Sequence, residues 1–182
     1  MVALGLENGK LDKSALLIDL KTIVEVAYEF EKGVDAHADI LTTMAGSSYD
    51  TLEQTYQVAQ RRRGKLFIDL MEVNNDKIAK ISGFKNAIYG LPHSRDAGNT
   101  FDAVDSVPQF HRAFPQIQHV AVAGGIDLQQ ASQLARQGIV ETVIVGGKIM
   151  KSPDPVETAR ELMAVTHQIV LIMLKIPRLL AI

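Results

Sequence analysis

Cysteine is absent from the 182-residue chain, which excludes disulfide bridges and thiolate chemistry and fits a reducing compartment. Charge of one sign is also scarce. Nineteen basic and 21 acidic side chains leave a formal net charge of −2, without the basic footprint that nucleic acid requires. The one basic run, Arg61 to Arg63, stands at an expected helix end, where it complements the dipole. Long apolar runs are missing too. The stretch 169–174 is apolar, but Lys175, Pro177 and Arg178 break it before it could span a bilayer. The first 17 residues carry Glu7, Lys10, Asp12 and Lys13 and do not read as a signal peptide. Zinc spacing of the HExxH type does not occur. No linker or low-complexity segment divides the chain. These absences predict a cytoplasmic protein with neither nucleic acid nor membrane as partner.

What is present is an ordinary globular composition, 47% hydrophobic and 22% charged, long enough for one domain with a full core. The most informative stretch is 120–150, VAVAGGIDLQQASQLARQGIVETVIVGGKIM. Two short β-branched runs, 120–123 and 142–145, suit parallel strands buried on both faces. Each stops at a glycine pair, Gly124–Gly125 and Gly146–Gly147, where the backbone can turn sharply and approach a ligand. Two such ends, each feeding a helix, can hold a phosphate through backbone N–H donors and helix dipoles. In β/α barrels a phosphate site lies after the last two strands. The plainer reading is a pair of tight turns without a ligand.

The rest of the chain repeats the same alternation. Strands are expected at 15–20, 38–44, 66–71, 86–91, 119–123 and 142–145. Helices are expected at 25–32 closed by Gly33, from Ser47, Ser48 or Asp50 to about Arg62, and from Asn74–Asn75 to Ile81. Further helices follow at 103–114, 127–138 and 155–168, with Pro108 as a candidate first helical position and Ser152, Asp154 and Pro155 as a start signal. Spacings of about 21–32 residues suit repeated right-handed βα crossovers. The predicted architecture is α/β, of the (β/α)8 TIM-barrel type, with about six units visible where closure needs eight. The organisation expected is an irregular lead-in over 1–14, a single partial barrel domain over 15–168 and an apolar tail over 169–182. Because the phosphate-type strands stand last, the missing pair is expected before the first visible strand.

In parallel α/β folds, strand C-termini converge on the site. They carry Asp19, Lys21, Thr43, Asp69, Glu72, His93, Arg95 and the two glycine pairs. Asp19 and Lys21 are two apart in a strand and share a face. A carboxylate beside an ammonium can bind a metal or orient a substrate, and the lysine can stabilise an enolate or shuttle protons; it can equally be a structural ion pair. Asp69 sits inside the apolar strand LFIDLM and needs a partner, which Lys21 or His93 can supply. His93 and Arg95 lie on the polar loop HSRDAGNT, where a histidine can serve as acid, base or oxyanion donor, or simply be solvated. The other histidines, His119 among them, receive no role.

In order and spacing, DLKT, ADILTTM, FIDLM, HSRDAG, HVAVAGGI and TVIVGGKI resemble the orotidine-5′-phosphate decarboxylase suprafamily. The resemblance runs from about Ala15 to Thr166 and is strongest to the branch of 3-hexulose-6-phosphate synthase and 3-keto-L-gulonate-6-phosphate decarboxylase. It implies a (β/α)8 barrel, a homodimer with sites at the interface, and Mg²⁺ supporting an enediolate. It implies Asp19 as a metal ligand, Lys21 as the enediolate's stabiliser, and backbone at Gly124, Gly125, Gly146 and Gly147 around the phosphate. His93 matches the family histidine of the fourth visible strand, with Pro92 as the alternative alignment. Arg95 resembles the decarboxylase arginine of SRDA.

Asp69 stands where decarboxylases tend to have Glu, and Gly147 where they tend to have a phosphate-contacting arginine. Both favour the synthase reaction, aldol addition of formaldehyde to D-ribulose 5-phosphate; the alternative is decarboxylation of 3-keto-L-gulonate 6-phosphate. Against either, Val24 occupies the second Asp of the family's D-x-K-x-x-D motif, and the carboxylates of the family's first two strands have no counterpart. The third reading is therefore a truncated, non-catalytic phosphosugar-binding homologue.

Overall fold

A computed structural model describes residues 15–23, 25–92, 102–166 and 170–173. The chain divides into two compact units, Met1–Ile88 and Tyr89–Ile182. Each is a run of strand–helix repeats with parallel pairing, the building block of a (β/α) barrel.

The first unit holds β1 (Leu17–Thr22), α1 (Val26–Asp35), β2 (Ile40–Met44), α2 (Tyr49–Arg62), β3 (Lys65–Asp69) and α3 (Asn75–Ile81). Strand β2 pairs in parallel with both β1 and β3. Phe30 of α1, Leu41 of β2, Leu52 of α2 and Ile68 of β3 are fully buried and form its core. The expected caps are in place: Ser48 accepts from the N–H of Thr51, and Asn74 from that of Lys77.

The second unit holds most of β4 (Ile88–Pro92), then α4 (Ala103–Ala113), β5 (Val120–Ala123), α5 (Leu128–Gln137), β6 (Val140–Val145), α6 (Gly147–Met150), α7 (Pro155–Val165) and β7 (Val170–Met173). The strands β4 to β7 pair in sequence order, all parallel. Asp127 and Gln130 form a reciprocal capping box at the start of α5. Asp154 caps α7 immediately before Pro155.

Four local expectations change. Strand β1 is not a buried strand: Ala15 and Asp19 are exposed, and β2 is its one partner among the described residues. Gly33 does not close α1 but lies buried inside it, where a Cβ would run into Leu41 Cδ2; its absent side chain lets helix and strand approach. Pro108 is not the first residue of α4 but lies within it. Having no N–H, it leaves the carbonyl of Val104, four residues back, without a helical donor. Gln137 of α5 donates to that carbonyl at 2.7 Å. Finally, the apolar stretch after 168 contains a seventh strand, β7, paired in register with β6. No helix among the described residues is long and apolar enough to cross a membrane.

Candidate active site

The C-terminal end of β1 is irregular in a way that aims its side chains. Its register with β2 shifts between Ile18 and Thr22. Within the shift Lys21 takes a left-handed backbone, φ 47, a conformation that non-glycine residues seldom adopt outside turns and functional sites. Bulges of this kind re-aim side chains next to active sites. The Lys21 ammonium reaches Oδ2 of Asp69, at the end of β3, at 2.5 Å, and lies 3.7 Å from Oδ2 of Asp19. Lysine is therefore the partner that the sequence required for the buried Asp69.

Each carboxylate is also held from its other oxygen. Asp69 Oδ1 accepts from the N–H of Met71 at 3.0 Å, and Asp19 Oδ1 accepts from the hydroxyl of Thr42 at 2.7 Å. Burial pushes the Lys21 pKa down, but the hydrogen bond and charge of Asp69, and then Asp19, outweigh it and hold the ammonium above its ordinary range. An ammonium has three donors. With the Lys21 side chain 48% exposed, it stays open to a ligand as well as to its two carboxylates.

Among the described residues no group of three or more acidic or imidazole side chains could enclose a metal. A magnesium ion does not need one, because one or two carboxylates suffice when water and substrate oxygens complete its shell. Asp19 fits that role. It is exposed, and among the described residues the contact of its Oδ2 is the 3.7 Å one to Lys21.

The glycine-ended strands lie in the second unit. Gly124 and Gly125 follow β5 with φ 92 and 70, a succession of left-handed residues that only glycine adopts without strain. Gly146 ends β6 and caps α6, a short helix not foreseen in the sequence that begins at Gly147. Gly125, Gly146 and Gly147 line a cavity of about 600 Å³, together with Lys148, Lys151 and Thr158. First-turn amides of a helix have no carbonyl of their own to bond. In α6, though, the N–H of Ile149 bonds the carbonyl of Gly146, and the cavity wall carries Lys148 and Lys151 beside the carboxylates of Asp127 and Glu161.

His93, Arg95 and Val24 lie outside the described residues. His119 pairs through Nδ1 with Glu141. Sequence reasoning missed Thr42, which touches Asp19 directly. The signal was there: Thr42 and Thr43 are polar, yet they interrupt a strand buried along most of its length.

The family model for "Orotidine 5'-phosphate decarboxylase / HUMPS family" matches residues 16–162. A 3-hexulose-6-phosphate synthase of Bacillus subtilis is 26% identical over 153 residues, 81% of this chain and 70% of the relative. The solved 3-hexulose-6-phosphate synthase from Salmonella typhimurium superposes with a TM-score of 0.76 at 24% identity, covering 87% of this chain and 76% of that one. The 3-keto-L-gulonate-6-phosphate decarboxylase from Vibrio cholerae gives 0.71 at 20% identity, covering 86% and 74%. At these identities the two solved structures speak for the fold, a (β/α) barrel type of which this chain carries a part. The matched family model spans the carboxylate–lysine strand and both glycine pairs alike, so the chain belongs to the orotidine 5′-phosphate decarboxylase / HUMPS family.

Proposed function

We propose that the chain is a lyase of the aldehyde-lyase type, joining formaldehyde to D-ribulose 5-phosphate with magnesium present. The observation that carries the proposal is the ammonium of Lys21 clamped between Asp69 and Asp19 at strand C-termini, the rim where barrel enzymes keep their chemistry. The names of the curated relatives point the same way.

In this reading the phosphate is held by backbone at Gly124, Gly125, Gly146 and Gly147, with Lys148 and Lys151 adding positive charge. Transfer of a proton from C1 of the ribulose to a base, for which His93 is the candidate, leaves an enediolate. The Lys21 ammonium would stabilise its negative oxygen, and Asp69, which accepts from that ammonium, would keep it oriented and charged. The C1 carbon attacks the carbonyl carbon of formaldehyde, a carbon–carbon bond forms, and the aldehyde oxygen takes up a proton. Asp19 is the residue that would hold magnesium, which would supply charge neutralisation to the enediolate. His93 and Arg95 remain candidates for proton transfer and substrate contact. The same reading carries a cytoplasmic homodimer, which sedimentation can test.

The test is formaldehyde-dependent consumption of ribulose 5-phosphate with formation of a hexulose phosphate. No consumption with magnesium present would reject the aldolase. The SRDA sequence around Arg95 favours the decarboxylase instead; CO₂ release from 3-keto-L-gulonate 6-phosphate would establish it. Binding of either sugar phosphate without turnover would establish the non-catalytic homologue.

A further inference from the structure

Thr42 lies in the middle of β2, 3% exposed, under the cluster formed by Asp19, Lys21 and Asp69. A hydroxyl has one proton to give and two lone pairs, and both capacities are used here. Its O–H donates to Asp19 Oδ1 at 2.7 Å, and its oxygen accepts from the backbone N–H of Lys21 at 3.1 Å. The directions are unambiguous, because an ionised carboxylate only accepts and a backbone N–H only donates.

Each bond constrains a different part of the site. The first decides which oxygen of Asp19 is taken and which, Oδ2, is left toward Lys21 on a partly exposed side chain. The second supports the shifted register: Lys21 adopts its left-handed backbone there, and its N–H finds a partner in a side chain of the neighbouring strand. That backbone conformation aims the ammonium at Asp69. Threonine suits the task because branching at Cβ stiffens its rotamer. We infer that Thr42 is a positioning residue for the proposed reaction, its single hydroxyl setting both the free oxygen of Asp19 and the direction of Lys21 without itself touching substrate. The inference rests on the reading of Asp19 and Lys21 as the reacting cluster.

The experiment compares the wild type with Thr42→Val and Thr42→Ser. The valine variant keeps the shape and loses both bonds; the serine variant keeps the hydroxyl. Steady-state assays with ribulose 5-phosphate, formaldehyde and magnesium should show kcat lowered about 100-fold by valine, the scale of a small misplacement. KM for the sugar phosphate should stay within roughly threefold, since the proposed phosphate contacts are made by residues other than Thr42, and serine should restore kcat to roughly threefold of wild type. Hydrogen exchange of the Lys21 amide, followed by NMR, gives a second readout independent of turnover. It should quicken by about tenfold or more in the valine variant and stay protected with serine. If Thr42→Val does not fold, Thr42→Ala, which removes the same hydroxyl with less bulk, replaces it.

Unchanged kcat in the valine variant, serine as impaired as valine, or an unchanged Lys21 amide would each overturn the assignment. Should the wild type turn over none of these substrates, the proposed reaction fails while the amide measurement still decides whether Thr42 holds the bulge.

Discussion

The Nζ of Lys21 stands 2.5 Å from Oδ2 of Asp69, tying β1 to β3 across the whole width of β2. Removing the lysine strands a carboxylate whose side chain is only 9% exposed. A fully buried pair broken this way costs about 3–5 kcal/mol. Lys21 is nearly half exposed, so screening reduces the expected loss to about 1–2 kcal/mol. Urea denaturation of Lys21→Met at pH 7 measures it, and a stability equal to wild type would mean the pair holds nothing together.

The same contact predicts a response to alkali. The folded-state pKa of Lys21 is raised above its ordinary 10.5. Its stabilising contribution is therefore complete below about pH 10.5 and disappears as pH rises through the raised value. Melting temperature followed from pH 9 to 12 (a range chosen to be roughly centred on lysine titration) should fall more steeply for wild type than for Lys21→Met. Parallel curves would deny the linkage.

Asp19 offers the cluster's exposed oxygen. Calorimetry should show ribulose 5-phosphate binding more tightly with magnesium than without it. Asp19→Ala should erase that difference and lower turnover by roughly 100-fold or more, beyond what loss of a supporting contact costs. Retained, magnesium-dependent activity in the variant would remove Asp19 from the ligand set.

Gly125 has φ 70 and lines the second unit's cavity. Alanine there should cost about 1–2 kcal/mol from backbone conformation alone, and it should weaken binding of inorganic phosphate if the cavity takes that group. Denaturation and phosphate titration of Gly125→Ala separate the two effects. A stability loss with unaltered phosphate affinity would leave a strained turn and no anion site.

Gln137 answers the carbonyl that Pro108 leaves bare. Gln137→Leu should destabilise by about 1 kcal/mol, the net worth of one hydrogen bond to a part-buried carbonyl. In a Pro108→Ala background, where residue 108 recovers its N–H, the same change should cost less. A double-mutant cycle measures the coupling, and strictly additive losses would show that Gln137 and Pro108 act separately.

Much of this molecule is local and was readable from the chain. The alternation of short apolar runs with capped amphipathic segments determined the βα repeat, because strand and helix periods and cap chemistry are properties of neighbouring residues. Ser48, Asn74 and Asp154 cap where such residues were expected, and Asp127, read as the first residue of its helix, is its cap. Asp69 announced its need for a partner simply by being charged inside an apolar strand. What the sequence left open depends on residues far apart in the chain. Lys21 meets Asp69 48 positions away, and Thr42 meets Asp19 across 23. Gly33 reads locally as a helix stop and becomes a contact only because Leu41 packs against it. The strand β7 reads as a loose tail until β6 offers its edge. Periodicity and capping are written in adjacent residues; hydrogen-bond partners, close approaches and edge pairing exist only once the backbone brings distant segments together.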